Sequence, residues 1–459
     1  MVAEVDGIPS VTVVVRGFTT QAVQVGKGSG FPNLRVVTYP DVTTAQNPDT
    51  IRKTFIEAQL DQEIVKALTE PILEAKAAPA GPALRDIVFR GTFEEVTEFF
   101  HKNKWTDGLP IVPPTIEKVE EFLKYTDRSP DEVLSVLPPR MTEATVWTVA
   151  VNGVMAGCRP EYMPILIAIV EVMADPQYGL KHGGSTPGWE AMIILNGPIR
   201  NQLGFNDKVA VQRPGTQANT SIGRFYRLCV RNVPGFLPGI TDMGTFGHMF
   251  RAVVPENEEA CAEIGWKPLH VLRGFKPDDN VVTITSIRAI SDPFRTAGEK
   301  AEWHLDYIVD WVKRMIEPYQ SALGYMETNV LLVSPINASI LAKGGYSKED
   351  VNRYIMEHAV VPAAYYDWSI KIGGIQTQGT TACNLVEKGI LPKEWSKSTD
   401  PGRLVPLLLP HSQWLIVVTG DPTRTRSCVY RQNFNQGYAT SKKIKLPANW
   451  DKLMNELKK

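Results

Sequence analysis

The apolar positions of this chain follow two periods. Between residues 142 and 173, Val146, Val149, Ala150, Gly153 and Val154 recur at three- and four-residue spacing, which predicts a helix capped by Thr142. Gly157 stands where a left-handed C-terminal residue is wanted. Pro160, Glu161 and Pro164 then suit the opening of a second apolar helix. Elsewhere, short aliphatic and β-branched runs stop at Gly, Pro or Asn, as strands covered on both faces do. These are GIPSVTVVV, LRVVTYP, residues 191–195, NVVTITSI, ETNVLLVSP and SQWLIVVTGDP. Helical spacing returns over residues 48–69 and 304–319 and in the C-terminal tail. Capping-box spacings at Thr92-Phe93-Glu94-Glu95, Ser129-Pro130-Asp131-Glu132 and Ser347-Lys348-Glu349-Asp350 each announce a helix. Strand and helix patterns in alternation predict an α/β fold.

The pattern divides the chain. Residues 1–75 read as an incomplete small α/β unit, residues 76–91 as an Ala/Pro/Gly-rich linker, and residues 92–459 as a larger, loop-rich α/β domain expected to carry the chemistry. So small a first unit buries little core, and its exposed sheet edge calls for a partner strand.

Charge narrows the function. Lys and Arg total 49 against 50 Asp and Glu, so no basic field favours nucleic acid or an anionic membrane. No apolar run is long enough to span a bilayer and the N-terminus lacks a leader pattern, which points to the cytoplasm. The five cysteines are scattered and never spaced C-x-x-C, which argues against a disulfide framework or a closed structural zinc site.

Cys158 is the first candidate for chemistry. A helix N-terminus and the neighbouring Arg159 would both favour its thiolate, making it a nucleophile, with His182 or His248 moving protons. The competing reading is a small buried hydrophobe. Cys229, inside an apolar helix, is expected to be harder to ionise. RPGTQANTSIGR feeds a Gly turn into a helix, an arrangement that aims N–H groups at an anion. Asn196, Arg213, Asn219, Ser221 and Arg224 are therefore candidates to bind a small anionic substrate. A second possibility gathers Asp242, His248, Glu256 and His270 as ligands for iron or zinc, although the sequence requires no cofactor. Trp105 and Asp107, in a Pro-rich loop, would either line a pocket or anchor packing.

Residues 6–70 carry a resemblance. D-G-I-P-S-V-T-V-V-V, Phe18 and G-F-P-N-L-R-V-V-T-Y-P resemble the C-terminal half of a domain in the selenoprotein B component of glycine, sarcosine and betaine reductases, and proteins named for a U-G-S-C motif. In those families a selenocysteine or cysteine motif lies just upstream of the strand matching residues 8–15. The resemblance implies that a small protein subunit completes the N-terminal unit and brings the reactive cysteine or selenocysteine. GLPIVPPT, VMAGCRPEYMP, NGPI, GTQANTSIGR and HVLRGF resemble a poorly characterised bacterial family that often accompanies that domain. The expected function is the large subunit of a hetero-oligomeric, thiol-dependent oxidoreductase or bond-cleaving enzyme. The alternatives are a metal-dependent lyase or hydratase, and a non-catalytic scaffold subunit.

Overall fold

The computed structural model describes residue 3 and residues 6–71, 83–248, 253–374, 377, 379–396 and 398–458. Residues 76–82 of the expected linker lie outside them. Among the described residues, no helix is long and apolar enough to cross a membrane.

The N-terminal unit pairs β1 (Thr12–Val15) with β2 (Val36–Tyr39) in a two-stranded parallel sheet. Val37, Tyr39 and Leu60 form its small core, joined by Val15, Ile51, Phe55 and Ile64. The first strand is not covered on both faces, since Val13 is 45% exposed. A helix over Thr19–Gly28 separates the strands. The expected helix over residues 48–69 is two, Pro48–Glu57 and Leu60–Thr69, broken where Gln59 turns left-handed.

The helix after Thr92 forms with its full capping box. The second capping-box sequence is overruled. Ser129 to Glu132 lead instead into an antiparallel hairpin, β3 (Val133–Leu137) with β4 (Thr142–Thr145). The cap of the following helix, Val146–Ala156, is consequently Thr145 rather than Thr142. Gly157 does end that helix left-handed, at φ 76°, and the next apolar helix covers Met163–Ala174.

The remaining strands are β5 (Glu190–Asn196), β6 (Val253–Pro255), β7 (Val281–Ile290), β8 (Phe294–Arg295), β9 (Thr328–Val333), β10 (Val360–Pro362), β11 (Leu404–Pro406), β12 (Gln413–Val418), β13 (Arg426–Gln432) and β14 (Thr440–Lys443). All but β10 and β11 join one mixed sheet in the order β12-β9-β13-β7-β5-β6, with β14 beside β7 and β8 beside β13. β13 and β14 both pair with the side of β7 opposite β5, so they act as one strand interrupted by residues 433–439.

Period-two alternation sorts this sheet into two faces. Ala191, Ile193 and Leu195 pack outward on the helices Val146–Ala156, Met163–Ala174 and Gln217–Asn232. Leu331, Val333, Trp414 and Ile416 do the same on Ala301–Met315, Pro335–Lys343 and Lys348–His358. The opposite face closes on itself. Met192, Ile194, Val254, Ile287, Val330, Leu415, Val417 and Tyr430, drawn from six strands, meet in one cluster. The sheet is thus coiled tightly enough for the ends of its two edge strands to touch: the Asn257 amide donates to Val418 O at 2.7 Å. Covering on both faces is why these strands read as unbroken apolar runs.

The N-terminal unit docks through Gln21, whose amide reaches Gly184 O and Thr241 O at 3.4 and 3.1 Å, and through Gly28. A first side-chain carbon on Gly28 would lie 1.9 Å from Pro139 O. Gly28→Val should therefore loosen the unit. Hydrogen exchange should rise in Thr19–Gly28, β1 and β2 while β5, β7 and β9 stay protected; unchanged exchange would refute this docking contact.

Candidate functional site

Coiling brings the C-terminal ends of β5, β6 and β12 together, and a cluster of charges fills the junction. Glu256 follows β6 directly and is wholly buried. Its Oε2 accepts from Asn196 Nδ2 at 2.9 Å and from the Leu269 amide at 2.6 Å. Its Oε1 accepts from the Val418 amide at 3.2 Å and from the Lys348 ammonium. Burial pushes the carboxyl up, but attraction to Lys348 and the donated hydrogen bonds outweigh it and hold Glu256 below the ordinary carboxylate value. Beside it, buried Arg200 pairs with Asp207 at 2.8 Å and lies 3.4 to 3.5 Å from Glu259 and Glu258. His270 faces Pro277 O through Nε2 at 3.3 Å, and its Nδ1 stands 3.7 Å from Glu258 Oε1.

This junction corrects two expectations. Asn196 gives its amide to Glu256 and also to Glu258 at 2.9 Å, so it serves carboxylates of the protein and not a substrate anion. Glu256 is engaged by Lys348, Asp242 lies 3.7 Å from Arg227, and His248 contacts Arg288 O at 2.7 Å. The four proposed ligands Asp242, His248, Glu256 and His270 therefore do not form a metal centre. Among the described residues no three His, Cys, Asp or Glu side chains are grouped to hold a metal ion. Lys348 and Arg200 escaped sequence reading altogether. A lysine at the first position of a capped helix ordinarily points to water, and nothing local announces its burial.

Cys158 does sit between two helices, yet its environment opposes ionisation. The thiol is buried, and desolvation pushes its pKa up to about 12, with Ser221 and Arg224 offsetting only part. Arg159 turns away, pairing with Glu161 and lying 5.9 Å from the ring centre of Tyr162. Neither His182 nor His248 is among the groups acting on the thiol. Cys229 is likewise pushed up to about 12 by burial, as its place in an apolar helix implied.

Two residues of the expected anion cradle are engaged by the protein itself. Asn219 bridges loop and strand: it accepts from the Asn206 amide at 2.9 Å and donates to Asn206 O and Val253 O at 2.9 and 3.1 Å. Arg224 grips Asp107 through two nitrogens at 2.9 and 3.1 Å and donates to Pro110 O. Ser221 is buried and Arg213 exposed. Asp107 and Arg224, flagged separately, thus belong to one bidentate pair.

A third cluster has more chemical character. Glu190 opens β5, and its Oε2 accepts from Arg227 Nε at 2.8 Å. Arg227 also faces Asp242. Burial raises the Glu190 carboxyl above its ordinary value, with Arg227 and the Ala191 amide offsetting part. Tyr178 and Tyr226 share a buried hydrogen bond at 2.7 Å in the same neighbourhood. Two Gly-rich loops lock over it, Met243 N to Gly184 O at 2.9 Å and Thr245 N to Thr186 O at 3.0 Å. No side chain fits at Gly184, where a first carbon would lie 1.9 Å from Thr241 O. His182 lies on the first of these loops, half-buried, with desolvation lowering its pKa. A buried carboxyl held above its ordinary value takes up a proton more readily than an exposed one, which makes Glu190 a candidate proton-handling group. The sequence signal was a lone glutamate at the head of the apolar run EAMIILN.

No family model, no curated protein and no solved structure matches this chain.

Three outcomes follow from this geometry. Limiting iodoacetamide at neutral pH should label Cys383, the one cysteine not buried, before Cys158, Cys229, Cys261 or Cys428; peptide mapping with Cys158 labelled first would contradict the burial argument. Lys348→Met leaves Glu256 charged and alone in the interior, so urea unfolding should show a loss of roughly 3–5 kcal/mol. The double variant with Glu256→Gln should recover part of it; a single variant near wild-type stability would refute the role given to the buried Glu256–Lys348 pair. Because the folded Glu256 value is lowered, its contribution is complete above the unfolded value of about 4.3 and vanishes as pH falls through the folded value. Acid unfolding should accordingly be steeper for wild type than for the double variant.

Proposed function

We propose that this chain is the large subunit of a hetero-oligomeric redox or bond-cleaving enzyme whose reactive sulfur or selenium is carried by a smaller partner. The observation behind this is the two-stranded parallel sheet of the N-terminal unit. Parallel strands are normally interior elements covered on both faces, and two alone make a marginal sheet. Here Val13 is 45% exposed and the outward edge of β1 has no strand beside it among the described residues. A strand from the partner would pair along that edge. The buried, hard-to-ionise Cys158 makes a nucleophile on the partner the better supported assignment, with Glu190 as the group on this chain able to hold a proton. The resemblance of residues 6–70 to a selenoprotein reductase component points the same way.

Thr12 N donates to Arg35 O, so in a parallel pair the Val13 amide points to the free edge. Val13→Pro removes that donor without touching the β1–β2 ladder. Full-length protein purified from its host should appear in native mass spectrometry with one smaller polypeptide bound, and Val13→Pro should release it at unchanged melting temperature. A chain that is strictly alone and monomeric would refute the proposal.

A further inference from the structure

The helix Gln217–Asn232 carries Arg224, Arg227 and Arg231 at helical spacing along one side. Two of them are matched by carboxylates. Arg224 grips Asp107, and Arg227 holds Glu190 with Asp242 beyond it. Arg231, in the last turn, is not matched. Its Nε donates to Lys104 O at 2.6 Å, and no carboxylate of the described residues stands within ion-pair distance.

A fourth arginine reaches the same place from the hairpin. Arg140 lies between β3 and β4, and its amide donates to Pro234 O at 3.2 Å. Its side chain crosses directly over Gly235, where a first side-chain carbon would lie 2.1 Å from Nε and 2.6 Å from Cζ. Gly235, at φ 82°, is itself fixed, since its carbonyl accepts from the Thr241 hydroxyl at 2.5 Å. The turn is tight. The Phe236 amide donates back to Val230 O at 3.1 Å, which keeps Gly235 beside Arg231. The Arg140 guanidinium has no hydrogen-bond or ion-pair partner among the described residues.

Both cations are held at a cost. Lying against Gly235 strips water from Arg140, and desolvation lowers its pKa. Arg231 is lowered by burial first, and repulsion from Arg227 and Arg140 adds to this against the attraction of Asp107. Like charges held together without a counter-ion raise the free energy, and an anion between them would offset it. Guanidinium forks suit oxygen anions, whose oxygens accept parallel N–H bonds. Arg140 is exposed and Arg231 only partly covered, so both are open to a solute.

We infer that Arg140 and Arg231 form a binding site beside Gly235 for a small oxyanion, a carboxylate or a phosphate group. Neither arginine belongs to the N-terminal unit, so the site stands or falls apart from the subunit partnership proposed above.

Full-length protein titrated at constant ionic strength with inorganic phosphate, methyl phosphate and acetate should bind at least one of them in isothermal calorimetry. Arg140→Gln and Arg231→Gln should each weaken that binding by about tenfold or more, the worth of a hydrogen bond to a charged group. Should one variant fail to fold, the other carries the same comparison. Arg295→Gln, which removes an exposed arginine of β8, should leave the affinity unchanged. Tighter binding of the two phosphates would support a phosphoryl ligand, and tighter binding of acetate a carboxylate. No binding of any of the three, an equal loss in Arg295→Gln, or affinity that survives in the Arg140→Gln/Arg231→Gln double variant would each overturn the inference.

Discussion

The Glu256 carboxylate is the constraint on which the large α/β region turns. An eight-stranded sheet can stay open, but this one coils until β6 and β12 meet, and their ends would otherwise present unsatisfied backbone groups to the interior. Glu256 accepts from the Val418 amide on one side of the junction and from the Leu269 amide on the other, while Asn196 ties in β5. Lys348 neutralises the charge that this role places in the core. A neutral side chain could accept fewer of those hydrogen bonds, so the buried ion pair is tolerated for its connectivity. Its desolvation makes it a poor source of net stability but a strong source of specificity, because losing either partner strands the other.

The same competition between charge and burial decides the reactive residues. A helix terminus contributes at most about 1–2 kcal/mol toward an anion. Desolvation of the Cys158 thiol, which carries its pKa to about 12, corresponds to roughly 4 kcal/mol against ionisation. Burial wins, and Arg159, occupied by Glu161, adds nothing to reverse it. Glu190 obeys the same rule with an opposite consequence. For a carboxyl, being harder to ionise brings it nearer the range where protons are exchanged at neutral pH.

Most elements that rest on local pattern were legible in the sequence. The apolar runs of β5, β7, β9 and β12 and the helix capped at Ser347 emerged where their residues placed them, because periodicity reports burial directly. Failures occurred where a distant contact overrode a local signal. Ser129 to Glu132 had the spacing of a helix start, but that segment feeds a hairpin whose strand carries Leu137 into the core. The site residues were legible singly and misread collectively. Asn196, Glu256 and His270 were each singled out and do come together, yet Lys348 stands 92 residues beyond Glu256, and Arg200, close behind Asn196, carries no local mark. Sequence spacing shows that a polar residue is unusual for its surroundings; it does not show which charge will meet it.

The closure of the coiled sheet also imposes an order in time. Glu256 is 92 residues ahead of Lys348 and 162 ahead of Val418. During synthesis from the N-terminus its carboxylate must wait, exposed and hydrated, while both partners are still being made. The helical layers over β5, built from neighbouring segments, can assemble early, whereas the junction can form only after β12 has emerged. Contacts of such long sequence separation close slowly. Until then β6 keeps a hydrated acid at its end, a charge that discourages the nascent sheet edge from pairing with another chain.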